Sequence, residues 1–193
     1  MKAWALATSM LTCSAAALIP CASAAQGNAP QSIAHTGVPA PLADVRLAGQ
    51  GTLRFLGFEI YRAQLWVSPG FDASDYAARP LALELHYRRD FTAEVIAKRS
   101  IEEMRRVGSF TAVQATRWQQ ALQAALPDVK SGDQLTGIYR PGAGAVFQMD
   151  GQVVGEVRDP EFSRLFFGIW LSPRTSEPAL RQALIAPAAA GTP

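Results

Sequence analysis

Cysteine is almost missing. The sequence has two, Cys13 and Cys21, and both fall within its first 24 residues. Without that segment no disulfide or thiol chemistry remains, and apolar burial alone must hold the fold. Histidine is as scarce, with only His35 and His86. Two separate histidines and no late cysteine are too few soft ligands for a structural zinc site, so no metal is expected. A Ser-His-Asp triad would have to rest on one of them, and an isolated histidine reads as ordinary surface. No GxSxG elbow occurs. GQG at Gly49–Gly51 lacks the third glycine of a dinucleotide fingerprint and has no βαβ unit around it. No cofactor is therefore expected.

Charge of one sign is also lacking. There are 18 basic and 16 acidic residues, and removing the first 24 takes away Lys2 only. A nucleic-acid binder needs a concentrated basic face. The doublets Arg88-Arg89 and Arg105-Arg106 are short and flanked by acids, so they read as solvated surface. Carboxylate pairs add little. Glu102 and Glu103 are helix neighbours that do not face each other, and Asp159 with Glu161 is explained by capping.

Only one long apolar run exists, at the start. Lys2, an Ala/Leu-rich stretch and Ala22-Ser23-Ala24 make residues 1–24 a secretory signal peptide. Pro20 and the cleavage site follow the run closely and no second apolar span comes later, so no membrane span is expected after signal removal. The mature protein is expected to be periplasmic or secreted. Residues 25–41 are small, polar and proline-rich and read as a flexible leader. Residues 186–193 read as a disordered tail. One folded domain is expected over 42–185, and its 49% hydrophobic parent chain rules out global disorder. Nothing in the sequence sets an oligomeric state.

What is present has a clear order. VRLAGQGTLRFLGFEIYRAQLWV predicts two or three strands, broken at Gly49 and Gly51, with a break or bulge near Gly57. LALELHY alternates, with Leu81, Leu83, Leu85 and Tyr87 on one face. Thr92 caps a helix running to Gly108, with Ala93, Ile96, Ala97, Ile101, Met104 and Val107 as its apolar stripe and Glu102–Arg106 as an i,i+4 pair. A second helix covers about 111–126, with Trp118, Ala121, Leu122 and Ala125 inward, and Pro127 ends it. DQLTGIYR, AVFQM and QVVGEV predict three short strands. Asp150-Gly151 fits a type I′ hairpin between the last two. Asp159 and Pro160 open a helix that is apolar nearly all round, and a last helix covers about 176–185. Runs of strands and runs of helices predict an α+β fold, an antiparallel sheet with helices on one face.

RFLGFEIYRAQLW, DFTAEVIAKRSIEEMRRVG and GDQLTGIYRPGAGAVFQMDGQVVGEVRDPEFSRLFFGIWLSPRTSEPALR together resemble the bacterial chalcone isomerase-like proteins. The likeness spans about 47–184, and PEF…FFGIWLSP is its most specific part. It implies an open-faced β-sandwich, a large antiparallel sheet with helices packed on one face. In the wider superfamily, plant chalcone isomerases close a flavanone ring, and related plant proteins bind fatty acids without catalysis.

Carried over by position, the resemblance marks seven residues as ligand-binding candidates: Arg54, Leu56, Tyr61, Phe91, Lys98, Ser163 and Phe166. Arg54 matches the arginine that would hold an enolate or a carboxylate. Leu56 and Phe91 stand where the enzymes have a threonine and a tyrosine. Lys98 replaces an asparagine, and Ser163 keeps a hydroxyl. Leucine and phenylalanine donate no hydrogen bond, and loss of one preorganised donor costs about 10²–10³ in rate. The sequence therefore leans away from catalysis and toward a fatty acid or similar apolar carboxylate as the small partner. Arg54, with Lys98 or Tyr61, would meet the head group, and Phe91, Phe162, Phe166 and Trp170 would line the tail. An isomerase or lyase acting on a phenolic or enone substrate is the alternative, and an interaction module of the envelope with no small ligand is the third reading.

Overall fold

The computed structural model describes residues 42 and 44–186. The expected signal peptide, leader and, apart from Ala186, the tail lie outside them. Six strands form one sheet: β1 (Arg46–Phe55), β2 (Phe58–Val67), β3 (Leu81–Tyr87), β4 (Gln134–Arg140), β5 (Gly144–Met149) and β6 (Gln152–Val157). They lie in chain order and every neighbouring pair is antiparallel. Between β3 and β4 come α1 (Ala93–Val107) and α2 (Ala112–Ala125). After β6 come α3 (Pro160–Leu171) and α4 (Pro178–Ile185). The main core joins Leu83, Leu85 and Tyr87 to side chains from all four helices, while Trp66, Ala82, Ile138 and Val146 form a small separate cluster without any helix residue. Among the described residues the helices thus cover one face of the sheet, the α+β open-faced arrangement the sequence implies.

The helix starts follow from short polar side chains. Thr92 accepts from the Val95 N–H at 3.3 Å, and Thr111 forms a reciprocal capping box with Gln114. Asp159 does more. Its carboxylate accepts from the Glu161 and Phe162 N–H groups, both at 3.0 Å, and from Trp118 Nε1 and Arg117, both at 2.8 Å. One side chain therefore caps α3 and ties it to α2.

Gly49 and Gly51 do not break the first strand. β1 runs through both, with a register shift between Leu47 and Gly49. The glycines serve packing instead: a Cβ at Gly49 would lie 2.3 Å from the Ala183 carbonyl oxygen, so their bare backbone lets α4 sit directly on the strand. Gly57 is a turn residue, with φ 82°, and it ends one strand rather than bulging it. The predicted Glu102–Arg106 pair is also replaced. Arg106 reaches Glu103 at 3.3 Å, and Arg99 spans Glu102 at 3.3 Å and Glu103 at 2.6 Å. Glu103 is buried among the helices, so the guanidinium groups turn toward the less solvated carboxylate.

Gly155 on β6 is a second close approach. A Cβ there would lie 2.4 Å from the Ala125 carbonyl oxygen and 2.6 Å from its Cα. Backbone cannot rotate aside as a side chain can. Gly155→Ala is therefore expected to destabilise the protein by about 1–3 kcal/mol, read from the midpoint of urea unfolding.

Candidate functional site

The site is the seam between α3 and the sheet. Asp159, Pro160 and the capped first turn fix the direction of α3. Its near-continuous apolar sequence then places Phe162, Leu165, Phe166, Phe167 and Trp170 in the core. Phe167 sits over Gly137, where a Cβ would come within 3.2 Å of its ring. The missing side chain on β4 makes room for the phenyl group. A void of about 20 Å³ remains, lined by Leu83, Leu85, Leu135, Gly137, Phe147, Phe166, Phe167 and Trp170. That is the space of about one water, and with no polar partner in the lining it is expected to stay dry.

A chain of aromatic contacts leads out of the void. Phe162 stacks on Phe166 at 5.4 Å, and Phe166 meets Trp170 edge-on at 5.4 Å. Trp170 Nε1 donates to the Tyr61 hydroxyl at 3.0 Å. Tyr61 packs against Tyr87 at 5.8 Å, and Tyr87 against Phe91 at 6.0 Å. Burial pushes the Tyr61 phenol well above its ordinary range. The indole N–H opposes this, the Glu177 and Glu103 charges add to it, and Arg99 works against it. Burial likewise raises Tyr87. Tyr61 therefore stays a neutral phenol whose oxygen accepts from Trp170 while its proton remains available to donate. Other hydroxyls around the seam are engaged with backbone. Tyr76 donates to the Arg164 carbonyl at 2.9 Å, Tyr139 to Ala77 at 3.1 Å, and Ser163 to Pro160 at 3.0 Å.

Three of the seven candidates, Tyr61, Phe91 and Phe166, fall in this aromatic chain. Ser163 is buried on α3, its hydroxyl turned to its own helix. The other three are exposed. Arg54 lies near the end of β1, 2.5 Å from Glu59 across the hairpin. Leu56 is at the turn apex, 81% exposed. Lys98 is on the solvent side of α1. Arg99, whose charge is the weakest of the influences on Tyr61, is held near the seam by Glu103, a placement the sequence reading passed over. Its signal was the i,i+4 spacing to Glu103, readable only once Glu103 is known to be buried.

The opposite face holds another surprise. Glu84 is 3% exposed and bonds to His86, which is half-buried rather than free surface. Glu84 Oε2 and Trp66 Nε1 have no hydrogen-bond partner among the described residues. No group of three metal-ligating side chains occurs among the described residues, and no helix there is long and apolar enough to cross a membrane.

A family profile, chalcone isomerase-like, matches residues 32–186. The chain belongs to the chalcone isomerase-like family. A relative in Haemophilus influenzae, an uncharacterized protein, is 26% identical over 146 residues, 76% of this chain and 70% of that one. Among solved structures, an Arabidopsis thaliana fatty-acid binding protein superposes with a TM-score of 0.57, covering 77% of this chain and 90% of that one. At 14% identity this likeness is one of fold. The chalcone isomerase-like fold accounts for the order of the elements.

Proposed function

We propose that the protein is an exported, non-catalytic chalcone isomerase-like domain that takes a fatty acid or similar apolar carboxylate between α3 and the sheet. The observation that carries this reading is the apolar void reaching Trp170, which joins it to a neutral, half-buried phenol at Tyr61. A hydrocarbon tail fits such a lining, and a phenol O–H donates to a carboxylate. The resemblance to a protein titled a fatty-acid binding protein supports the same direction. Small-molecule sites are commonly about 300–1,000 Å³, so a void of about 20 Å³ is a closed state, and the ligand enters by moving α3 or its aromatic side chains off the sheet.

The near-filled seam also favours a second reading, an envelope interaction module without a small ligand. Titration with palmitate separates them. Binding is expected to be saturable and to change tryptophan fluorescence through Trp170. Tyr61→Phe is expected to weaken it about tenfold or more, the worth of a hydrogen bond to a charged group. No saturable binding by the wild type would leave the interaction-module reading. Chalcone supplied under the same conditions is expected to cyclise no faster than it does spontaneously.

A further inference from the structure

The β1–β2 hairpin holds three large apolar side chains in water: Phe55, Leu56 and Phe58 are 62%, 81% and 57% exposed. Its two turn residues, Leu56 and Gly57, have φ of 50° and 82°. The β5–β6 hairpin makes a turn of the same backbone kind with Asp150 and Gly151, at φ 50° and 81°. Aspartate, asparagine and glycine tolerate that left-handed geometry, whereas leucine meets it with a steric cost. Leu56 is therefore disfavoured twice, by its backbone and by its solvation. Neither the turn nor the core calls for leucine here, because an Asp-Gly pair serves at the other hairpin. Strain and exposure at one residue point to a task outside the fold.

The surroundings of the tip say what that task suits. Arg54, Arg62, Arg88 and Arg89 are all exposed. The Arg89 guanidinium lies over the Phe58 ring, 4.3 Å from its centre. The Arg88 N–H donates to the Ile60 carbonyl at 2.9 Å, which brings the end of β3 beside the hairpin. Carboxylates nearby are few and engaged: Glu59 with Arg54, and Asp90 with Lys130. Arg54, Arg62, Arg88, Arg89 and Lys130 outnumber Glu59, Asp90 and Asp133, whose carboxylate accepts from the Lys130 N–H at 2.8 Å, by two. Beyond β3, Asp133 and Asp150 end the basic patch, so it is confined to the hairpin side.

We propose that this hairpin tip docks on an anionic lipid surface. Phe55, Leu56 and Phe58 enter the apolar edge of the interface, and the arginine collar meets lipid phosphates. Size and charge favour lipid over protein. A stable protein partner needs roughly 800 Å² from each side, more than three side chains supply. A few apolar groups with a basic rim are enough for reversible membrane attachment. The proposal needs no cavity and is independent of what fills the seam.

Vesicle flotation tests it, on residues 25–193 and on the full chain as a control for what the first 24 residues add. Vesicles of phosphatidylcholine alone are compared with vesicles that also contain phosphatidylglycerol. The wild type is expected to float with the anionic vesicles and to be released by salt. Leu56→Asn is expected to weaken binding about tenfold, since it removes a buried leucine from the interface. Its thermal midpoint is expected to match or exceed the wild type, because asparagine prefers the left-handed turn; the loss then does not come from misfolding. Arg88→Gln and Arg89→Gln are expected to cost about fivefold each on anionic vesicles only. Failure of residues 25–193 to float with anionic vesicles would overturn the proposal, as would equal flotation of wild type and Leu56→Asn. A tip-dependent dimer in the ultracentrifuge without vesicle binding would overturn it in favour of self-association.

Discussion

Phe167→Ala is expected to lose about 3–5 kcal/mol of folding stability, out of the roughly 5–15 kcal/mol typical of a domain. The ring is fully buried, meets Tyr139 and Phe166 edge-on, each at 5.4 Å, and fills the place left by Gly137 on β4. The seam beside it already contains a void of about 20 Å³. Removing the ring would enlarge that void, because β4 and β5 are fixed by their ladders and cannot collapse far into it. The midpoint of urea unfolding should fall with little change in slope. Phe167→Leu restores most of the volume and should recover most of the loss. A small effect for the alanine variant would mean that α3 is free to settle, and that the seam is softer than its packing suggests.

Asp159→Ala is the second large effect, at about 2–5 kcal/mol. The loss of a helix cap contributes about 1–2 kcal/mol. The orphaned indole of Trp118, which is buried, contributes about 1–3 kcal/mol more. The same group gives a pH signature. Burial alone would raise the Asp159 carboxyl, but hydrogen bonds from Phe162, Trp118 and Glu161 and the Arg117 charge outweigh it and hold the group below the usual carboxylate range. A carboxyl whose pKa is depressed on folding contributes stability that is whole above its unfolded value, about 4, and lost as pH falls through the folded value. The wild type is therefore expected to weaken below about pH 4. Asp159→Asn keeps one accepting oxygen for the cap but turns an amide donor toward Trp118 and Arg117. Its deficit relative to wild type should be largest at neutral pH and shrink at pH 3. A deficit that is the same at both would mean that the Asp159 charge plays no part.

Local chemistry made much of this legible from the sequence. The Leu81–Tyr87 alternation, the Asp150-Gly151 turn and the Asp159-Pro160 helix start each act within a few residues, and each appears in the structure. What escaped depends on distant parts of the chain. Gly49 looked like a strand break because its role is the approach of α4, more than a hundred residues later. The burial of Glu103 depends on how α1 packs and is not written in its spacing to Glu102. The interruption near Gly57 was legible, but its form as a tight turn was not, because leucine is not a left-handed residue and Leu56 gave no turn signal. That turn also puts Arg54 opposite Glu59 and leaves Leu56 in solvent, an arrangement that no face-by-face alternation predicts. In the seam, the aromatic content of α3 was plain, but the depth at which it rests on β4 was not. That depth reduces the space to about 20 Å³.

The central claim is that the seam between α3 and the sheet opens to hold one apolar carboxylate. Native mass spectrometry of the purified protein, before and after organic extraction and again after incubation with palmitate, tests it most directly. The account predicts a single fatty-acid adduct that extraction removes, that palmitate restores in the wild type, and that palmitate restores poorly in Tyr61→Phe. One bare mass under all three conditions would contradict it.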